Sequence, residues 1–162
     1  MDDLLDAIRR NLADANYYSA LFLTIILPSV CGSLESEDGQ DNRDRYIGWY
    51  DRYCGGLFIT GADCYYLRCA LLHQARTEHR YAGFSRVVFT FPTETGNVFH
   101  NNVLNDALNL DIPRFCNHIL EGAERWRQAV QGTQPYTRNL ERTIRTYHNG
   151  LPPYLVGTPL IS

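Results

Sequence analysis

The chain has 162 residues, which is enough for one domain with a buried core and short for two. Hydrophobic residues make up 44% of it and charged residues 20%, a balance that excludes an intrinsically disordered chain. Its formal net charge of -3 excludes a general electrostatic attraction to nucleic acid or anionic membranes, so any site for a polyanion must be local.

Residues 2 to about 31 are predicted to form one long first helix, because apolar side chains recur at helical spacing. From Tyr17 to Leu27 the helix is apolar nearly all round, which predicts a buried position, and Pro28 and Gly32 end or kink it. The apolar run is shorter than the roughly 20 residues that span a bilayer, so no membrane partner is expected. The acidic start lacks the basic leader of a signal peptide, which predicts a cytoplasmic protein.

A solvated loop at 35–44 is followed by a short helix with an aromatic stripe. The stripe consists of Tyr46, Trp49, Tyr50 and Tyr53, at positions i, i+3, i+4 and i+7. Such a stripe belongs either to the core or to a base-stacking platform, and the large apolar area of the rings favours the core. A third helix, capped by Thr60 or Asp63, runs to about Ala75.

In the second half of the chain, the helical spacing of apolar residues gives way to β-rich runs at residues 86–103. Two β-rich runs flank "PTETG", residues 92–96, which predicts a small β-hairpin. A helix capped by Asp111 with Pro113 in its first turn follows, then a short helix at 136–148 and an extended tail at 149–162. The predicted fold is an all-α helical bundle with a small hairpin excursion, in a single domain of residues 1–162.

The cysteines and isolated histidines indicate structural roles. The five cysteines contain no C-x-x-C pair and are predicted to be reduced and mostly buried; they are Cys31, Cys54, Cys64, Cys69 and Cys116. His100 and His118 are isolated in the sequence and are predicted to be structural. Zinc-ligand spacing and Gly-rich phosphate loops are absent from the sequence, so no metal or cofactor is expected.

The third helix carries an arginine and a histidine five residues apart. On a helical wheel Cys64, Leu67, Leu71 and Ala75 form its core stripe, and Arg68 and His73 bracket a second face. A guanidinium holds phosphoryl oxygens with two parallel hydrogen bonds, and an imidazole exchanges protons near neutral pH. The pair suits cleavage of a phosphodiester. In the structural alternative, Arg68 covers a core edge and His73 complements the helix dipole.

The phrase "CYYLRCALLHQA" resembles the Arg-x4-His signature of the HEPN superfamily, the higher eukaryotes and prokaryotes nucleotide-binding domains. The order of helices over roughly residues 4–131 is similar to that family, although residues 68–73 are the only sharp motif. The resemblance implies a homodimer whose motif helices face each other, with both Arg68 and both His73 in one cleft. It also implies a metal-independent endoribonuclease of the toxin–antitoxin or phage-defence type. Its products would carry 2′,3′-cyclic phosphates.

Carried onto this chain, the resemblance makes Arg68 and His73 the catalytic residues. Cys69 stands where catalytic members often have a polar residue, and it serves either the cleft or the dimer interface. Cys69 and Tyr65 lie on the face between the catalytic pair and are candidate substrate contacts. Basic groups extend from the end of the helix and either bind flanking phosphates or form a solvated helix end; they are Arg76, His79, Arg80 and, less directly, Arg86.

The partners expected from this interpretation are a second copy of the chain, an RNA substrate and an antitoxin protein, without DNA. The alternative is a non-catalytic HEPN-like dimeric module that binds nucleotide, RNA or a protein partner. A purely structural helical dimer with no ligand is a third interpretation.

Overall fold

About half of the chain is helical, and short strands supply the other regular structure. The structure, a computed structural model, describes residues 1–93 and 96–162. The helices are α1 (Asp2–Ala13), α2 (Tyr17–Ile25), α3 (Leu27–Glu35), α4 (Arg43–Tyr53), α5 (Gly61–Gln74), α6 (Ile112–Val130) and α7 (Gln134–Leu140). The strands are β1 (Arg86–Thr90), β2 (Asn102–Leu104), β3 (Ala107–Asp111), β4 (Thr146–Tyr147), β5 (Gly150–Leu151), β6 (Leu155–Val156) and β7 (Leu160–Ile161). The prediction of a helix-dominated fold is confirmed.

The predicted single helix over residues 2–31 is wrong, because the chain breaks twice there. The first break follows α1, where Ala15 adopts a left-handed conformation with a φ of 55°. The second is at Ile26, and Pro28 lies in the first turn of α3, where its missing N–H costs no hydrogen bond. Gly32 does not end the helix, which continues to Glu35.

The apolar segment Tyr17–Glu35 comprises α2 and α3. Within residues 1–93 and 96–162 it is the one stretch long and apolar enough to cross a membrane by length and composition. Half of it is buried inside the fold, and the core helices of soluble proteins meet the same criterion. Its burial agrees with the predicted central position, and the cytoplasmic location stays a prediction.

The aromatic stripe of α4 lies in the main core, as predicted. Tyr46, Trp49 and Tyr50 are fully buried, and Tyr53 at the end of the helix is partly buried. The Trp49 ring meets Trp126 of α6 edge to face, with 6.4 Å between the ring centroids. These rings supply large apolar area at the centre of the helices, which rules out a base-stacking role for most of the stripe.

The strands pair differently from the predicted hairpin. β1 pairs in parallel with β3, and β2 pairs antiparallel with β3, so that the sheet order is β1-β3-β2. The tight turn lies between β2 and β3, where Asn105 and Asp106 both have positive φ. Of the predicted turn at 92–96, residues 94 and 95 lie outside the described residues. Leu108 and Leu110 of β3 are fully buried, so the sheet belongs to the core and an all-α bundle is not confirmed.

The C-terminal part combines correct and incorrect predictions. Asp111 caps α6 by accepting a hydrogen bond from the Arg114 backbone N–H at 3.0 Å, as predicted. The predicted helix at 136–148 is α7, which ends at Leu140, and the chain then becomes irregular. The tail at 149–162 is not simply extended, because β5 pairs with β6 and β7 returns to pair with β4.

Candidate functional site

α5 carries the predicted site, and local chemistry fixes both of its ends. The Thr60 hydroxyl accepts from the Asp63 backbone N–H at 3.2 Å, and the Asp63 carboxylate accepts from the Thr60 backbone N–H at 3.2 Å. Of the two predicted caps, Thr60 is therefore the N-cap, and Asp63 is the third helical residue that completes the reciprocal capping box. At the other end Ala75 is left-handed, with a φ of 52°, and its N–H donates to the Leu71 carbonyl at 3.0 Å. These contacts fix the first and last residues of α5, and the site residues from Tyr65 to His73 all lie within the helix.

The core stripe of α5 lies where the wheel predicts it. Cys64, Leu67 and Leu71 are buried, whereas Ala75, which was expected in the stripe, is exposed because it ends the helix. The Tyr46 hydroxyl lies 3.4 Å from the Cys64 sulfur, and burial raises the pKa of the Cys64 thiol well above its ordinary value. This thiol is therefore protonated and unreactive at neutral pH.

Arg68 is partly buried, and its guanidinium forms no hydrogen bond or ion pair within the described part of the chain. Its Nε is enclosed by protein but meets no acceptor, and the Ser29 hydroxyl and one carboxylate oxygen of Asp41 are likewise enclosed without a hydrogen bond of standard geometry. Burial raises the pKa of Asp41, and the nearby Ser29 hydroxyl, Asn42 backbone and Arg68 guanidinium oppose the rise. Three polar groups with unused hydrogen-bonding capacity thus meet where α3, the 36–42 loop and α5 come together.

Tyr65 and Cys69 belong to the same neighbourhood as Arg68. The pKa of the Tyr65 hydroxyl is raised by burial first and then by the adjacent Cys69 thiol, and Arg68 opposes this rise. The Tyr65 ring also packs edge to face on Tyr46, with centroids 5.5 Å apart. The structure therefore brings Tyr65 and Cys69 to Arg68, as the wheel predicts.

His73 lies apart from Arg68. Its side chain is exposed, and no hydrogen bond, ion pair or ring contact joins it to any residue in the described ranges 1–93 and 96–162. Residues five apart on a helix point about 140° from each other and are separated by about 7.5 Å along its axis. Within one chain, Arg68 and His73 therefore do not form a contacting pair.

Arg76, His79 and Arg80 come together at the end of α5. All three line an open cavity of about 830 Å³, together with Gln74, Tyr81 and the segment up to Ser85. Arg86 lies outside this cavity and forms an ion pair with Glu78. The predicted site residues thus divide into two groups. Tyr65 and Cys69 lie beside Arg68, whereas Arg76, His79 and Arg80 line the cavity, and His73 lies between the two groups on the helix surface.

The isolated histidines have the structural contacts that were predicted. His118 shares a hydrogen bond with the Cys54 carbonyl at 2.8 Å, and the His100 ring accepts from the Asp111 backbone N–H at 3.3 Å. Burial lowers the pKa of His100.

Every cysteine is unpaired; Cys69 is partly buried and the other four are buried. Residues 1–93 and 96–162 contain no cluster of three or more metal-ligating side chains of His, Cys, Asp or Glu.

Sequence reasoning missed several residues of this surface. Asp41 was assigned to a solvated loop, and only the folded chain brings it near Arg68. Tyr66 stands inside the motif phrase but was given no role, although its ring stacks on His79 with centroids 4.7 Å apart. Tyr81 contacts both of these rings. Because Tyr81 directly follows Arg80, which was predicted to bind phosphate, the sequence did contain a signal for it.

No protein-family model, curated protein or solved structure matches the chain. Any function must therefore be inferred from the residues of the site and from the sequence resemblance at residues 68–73.

Proposed function

We propose that the chain is a HEPN-like, metal-independent endoribonuclease whose site is shared between two copies. The observation that supports this most is the partly buried Arg68 guanidinium, which makes no hydrogen bond or ion pair with any described residue. Arginines enclosed by protein are normally paired, so an unused planar donor fork suggests an acceptor from outside the chain. A phosphoryl oxygen suits that fork, and an exposed imidazole stands farther along the same helix.

In the proposed reaction the nucleophile is the ribose 2′-hydroxyl next to the scissile phosphate. His73 takes the 2′-hydroxyl proton as the new 2′-oxygen–phosphorus bond forms, and Arg68 stabilises the negative charge of the phosphorane. The bond from phosphorus to the 5′-oxygen then breaks, and that oxygen takes a proton from an imidazolium or from water. The products are a 2′,3′-cyclic phosphate and a 5′-hydroxyl, and the step uses no metal.

The geometry of one helix favours a site built from two chains. The side chains of Arg68 and His73 project from α5 in directions about 140° apart. For catalysis, both must come within about 3 Å of groups on the same phosphodiester. If a twofold axis runs through the face between them, Arg68 of one copy lies opposite His73 of the other. Tyr65 and Cys69 occupy that intervening face, and they would contact either the substrate or the second copy.

The first test is cleavage of a labelled mixed-sequence RNA in EDTA by wild type, Arg68→Ala and His73→Ala. Loss of cleavage in both variants supports the proposal, and a 2′-deoxy oligomer of the same sequence should remain uncut because it lacks the nucleophile. Matched controls are Arg142→Ala and His148→Ala, which change exposed side chains outside the site. Equal activity in all five proteins would rule out the site.

A second test asks whether the site is shared. Arg68→Ala and His73→Ala proteins are each inactive alone, but a mixed dimer retains one intact Arg68 and one intact His73 on opposite subunits. Random subunit exchange should restore about a quarter of wild-type activity, because half of the dimers are mixed and each has one of two pairs intact. A mixture that stays inactive after exchange, verified by mass, would show that both groups act within one chain.

A non-catalytic module is the second candidate, and two observations favour it. Asp41 places a carboxylate near Arg68, which weakens its attraction for phosphate, and Cys69 offers only a weak hydrogen-bond donor where a polar residue would orient substrate. This candidate predicts that wild type binds RNA or nucleotide without cutting it. An antitoxin-like protein partner belongs to either candidate.

A further inference from the structure

Beyond the end of α5, the chain forms a cavity lined by two arginines that form no ion pair with any described residue. The cavity of about 830 Å³ is lined by Arg76 and Arg80, neither of which forms an ion pair within the described residues. Of the two acidic residues in its wall, Glu78 is already paired with Arg86, which leaves Asp106. This size lies within the roughly 300–1,000 Å³ of sites for small ligands, and its local charge favours an anion.

A cluster of rings stands beside the cavity and enters its wall. Tyr66 and His79 stack with centroids 4.7 Å apart and planes 11° apart, and Tyr81 lies 5.6 Å from each of them. The Tyr81 backbone N–H donates to Nδ1 of His79 at 3.3 Å, which fixes the orientation of the imidazole. Tyr81 keeps 58% of its surface exposed. The cluster thus offers aromatic surface to solvent at a position held by its neighbours.

Two guanidinium groups flank these rings. Arg80 lies over the Tyr81 ring with its central carbon 4.4 Å from the centroid. Arg43 lies 5.5 Å from the Tyr66 centroid and donates to the Tyr66 hydroxyl at 3.0 Å. Rings alternating with guanidinium groups, next to an open cationic cavity, are the combination that holds a base by stacking and its phosphates by charge.

We propose that this cavity and ring cluster bind one nucleotide of single-stranded RNA, with the base on Tyr81 and the flanking phosphates on Arg76 and Arg80. The choice of RNA as the ligand rests on the proposed function, whereas the ring geometry does not. The base must be unstacked to reach Tyr81, which favours a single strand over a duplex. The cavity continues from the helix end that carries His73, so a bound strand would extend from the cleavage site into it.

The test measures binding rather than cleavage. His73→Ala protein is titrated in EDTA against a fluorescein-labelled single-stranded RNA of about 12 nucleotides, which is within the range that single-strand sites cover. Adding Tyr81→Ala should weaken binding about tenfold, since stacking of one base on an aromatic side chain contributes at about this level. Adding Tyr154→Ala, which removes a tyrosine that is 84% exposed elsewhere, should leave binding unchanged.

An abasic oligomer of the same length separates stacking from a merely structural effect. Protein with Tyr81 should prefer the RNA that carries bases, and Tyr81→Ala protein should bind both oligomers alike, while Tyr81→Trp restores the preference. Arg80→Gln should lower the slope of log affinity against log salt by about 0.7 for one lost phosphate contact. Thermal melting of each variant verifies that the fold is retained.

The outcomes distinguish this inference from the nuclease proposal. Binding that depends on Tyr81 without any cleavage by wild type supports the site and removes the nuclease. Cleavage that needs Arg68 and His73, with Tyr81→Ala and Tyr154→Ala binding alike, removes the site and leaves the nuclease. The inference would also be overturned if the protein failed to bind the RNA at micromolar concentration, or if it bound adenosine monophosphate but not the RNA.

Discussion

Replacing Arg68 with alanine should separate activity from stability. In the structure the guanidinium makes no hydrogen bond or ion pair with residues 1–93 and 96–162, so the substitution removes no such contact. We expect the free energy of unfolding to fall by about 1 kcal/mol or less, from lost packing of the methylene groups. Cleavage should fall about 100- to 1,000-fold, which is typical when a donor to a developing anion is removed.

The neighbouring carboxylate makes the small stability effect depend on pH. Burial raises the pKa of Asp41 above 3.8, and Arg68 opposes this rise, so the pKa of Asp41 should rise further in Arg68→Ala. A carboxyl group whose pKa is raised in the folded state lowers stability once the pH exceeds its unfolded value. The stability difference between wild type and variant should therefore be largest near neutral pH and fade as the pH falls below about 3.8.

The assays are urea unfolding at pH 7 and pH 3.5 and initial cleavage rates at limiting substrate. Arg68→Lys keeps the charge but loses the planar fork, so it should keep the stability and recover only part of the rate. A loss of stability of about 3 kcal/mol or more would assign Arg68 to the structure, because that is the cost of breaking a buried ion pair. Unchanged cleavage with unchanged stability would refute its catalytic role.

Three further predictions concern Asp41 and two positions away from the site, with Gly48→Ala as a control. Asp41→Asn should raise the free energy of unfolding at pH 7, where the buried carboxylate is disfavoured, with the gain disappearing below about pH 3.8 in urea titrations. Gly122→Ala should cost about 1–3 kcal/mol in thermal unfolding, because the new Cβ would lie 2.5 Å from the Cys54 sulfur; Gly48→Ala, with open space around it, should not destabilise. Asn139→Ala should cost about 1–3 kcal/mol in urea, since its amide donates to three carbonyls at the end of α3; a change below about 0.5 kcal/mol would contradict this.

The elements that the sequence predicted well are those whose signals are local. α5 has its cap residues within four positions, and α6 begins at Asp111 with a proline in its first turn. The aromatic spacing of α4 matches one helical face, and that face is buried. In each case the chemistry that defines the element lies inside the element, so one sequence suffices to find it.

The failures have non-local or weak signals. The parallel pairing of β1 with β3 brings together strands 21 residues apart in register, and alternation alone does not reveal the partner. The Asn105–Asp106 turn does have a local signal, because both residue types tolerate positive φ in tight hairpins, but the β-rich runs around 92–96 suggested a different turn. The break at Ala15 has little signal, since alanine favours helices and rarely adopts the left-handed conformation.

The candidate site shows the same division. The wheel placed Tyr65 and Cys69 beside Arg68, because their relation is a property of one helix. It could not place Asp41, which reaches Arg68 from a loop that precedes α4, or the cavity, which depends on how the chain turns after α5. Spacing therefore identified which residues share a face, and the tertiary fold determined which of them meet charges from elsewhere.

The unpaired groups around Arg68 bear on what the site requires. Folded proteins leave few buried polar atoms without partners, because each one costs about 1–3 kcal/mol. Here the Ser29 hydroxyl, one oxygen of Asp41 and Nε of Arg68 are enclosed at one junction of helices and loop without a hydrogen bond of standard geometry, although Ser29 and Arg68 lie close enough to Asp41 to stabilise its carboxylate. A phosphate oxygen accepts from both a hydroxyl and a guanidinium, and it would repel the Asp41 carboxylate unless that group were protonated. The raised pKa of Asp41 moves it in the direction that tolerates an anion, so phosphate affinity at this junction should increase as the pH falls.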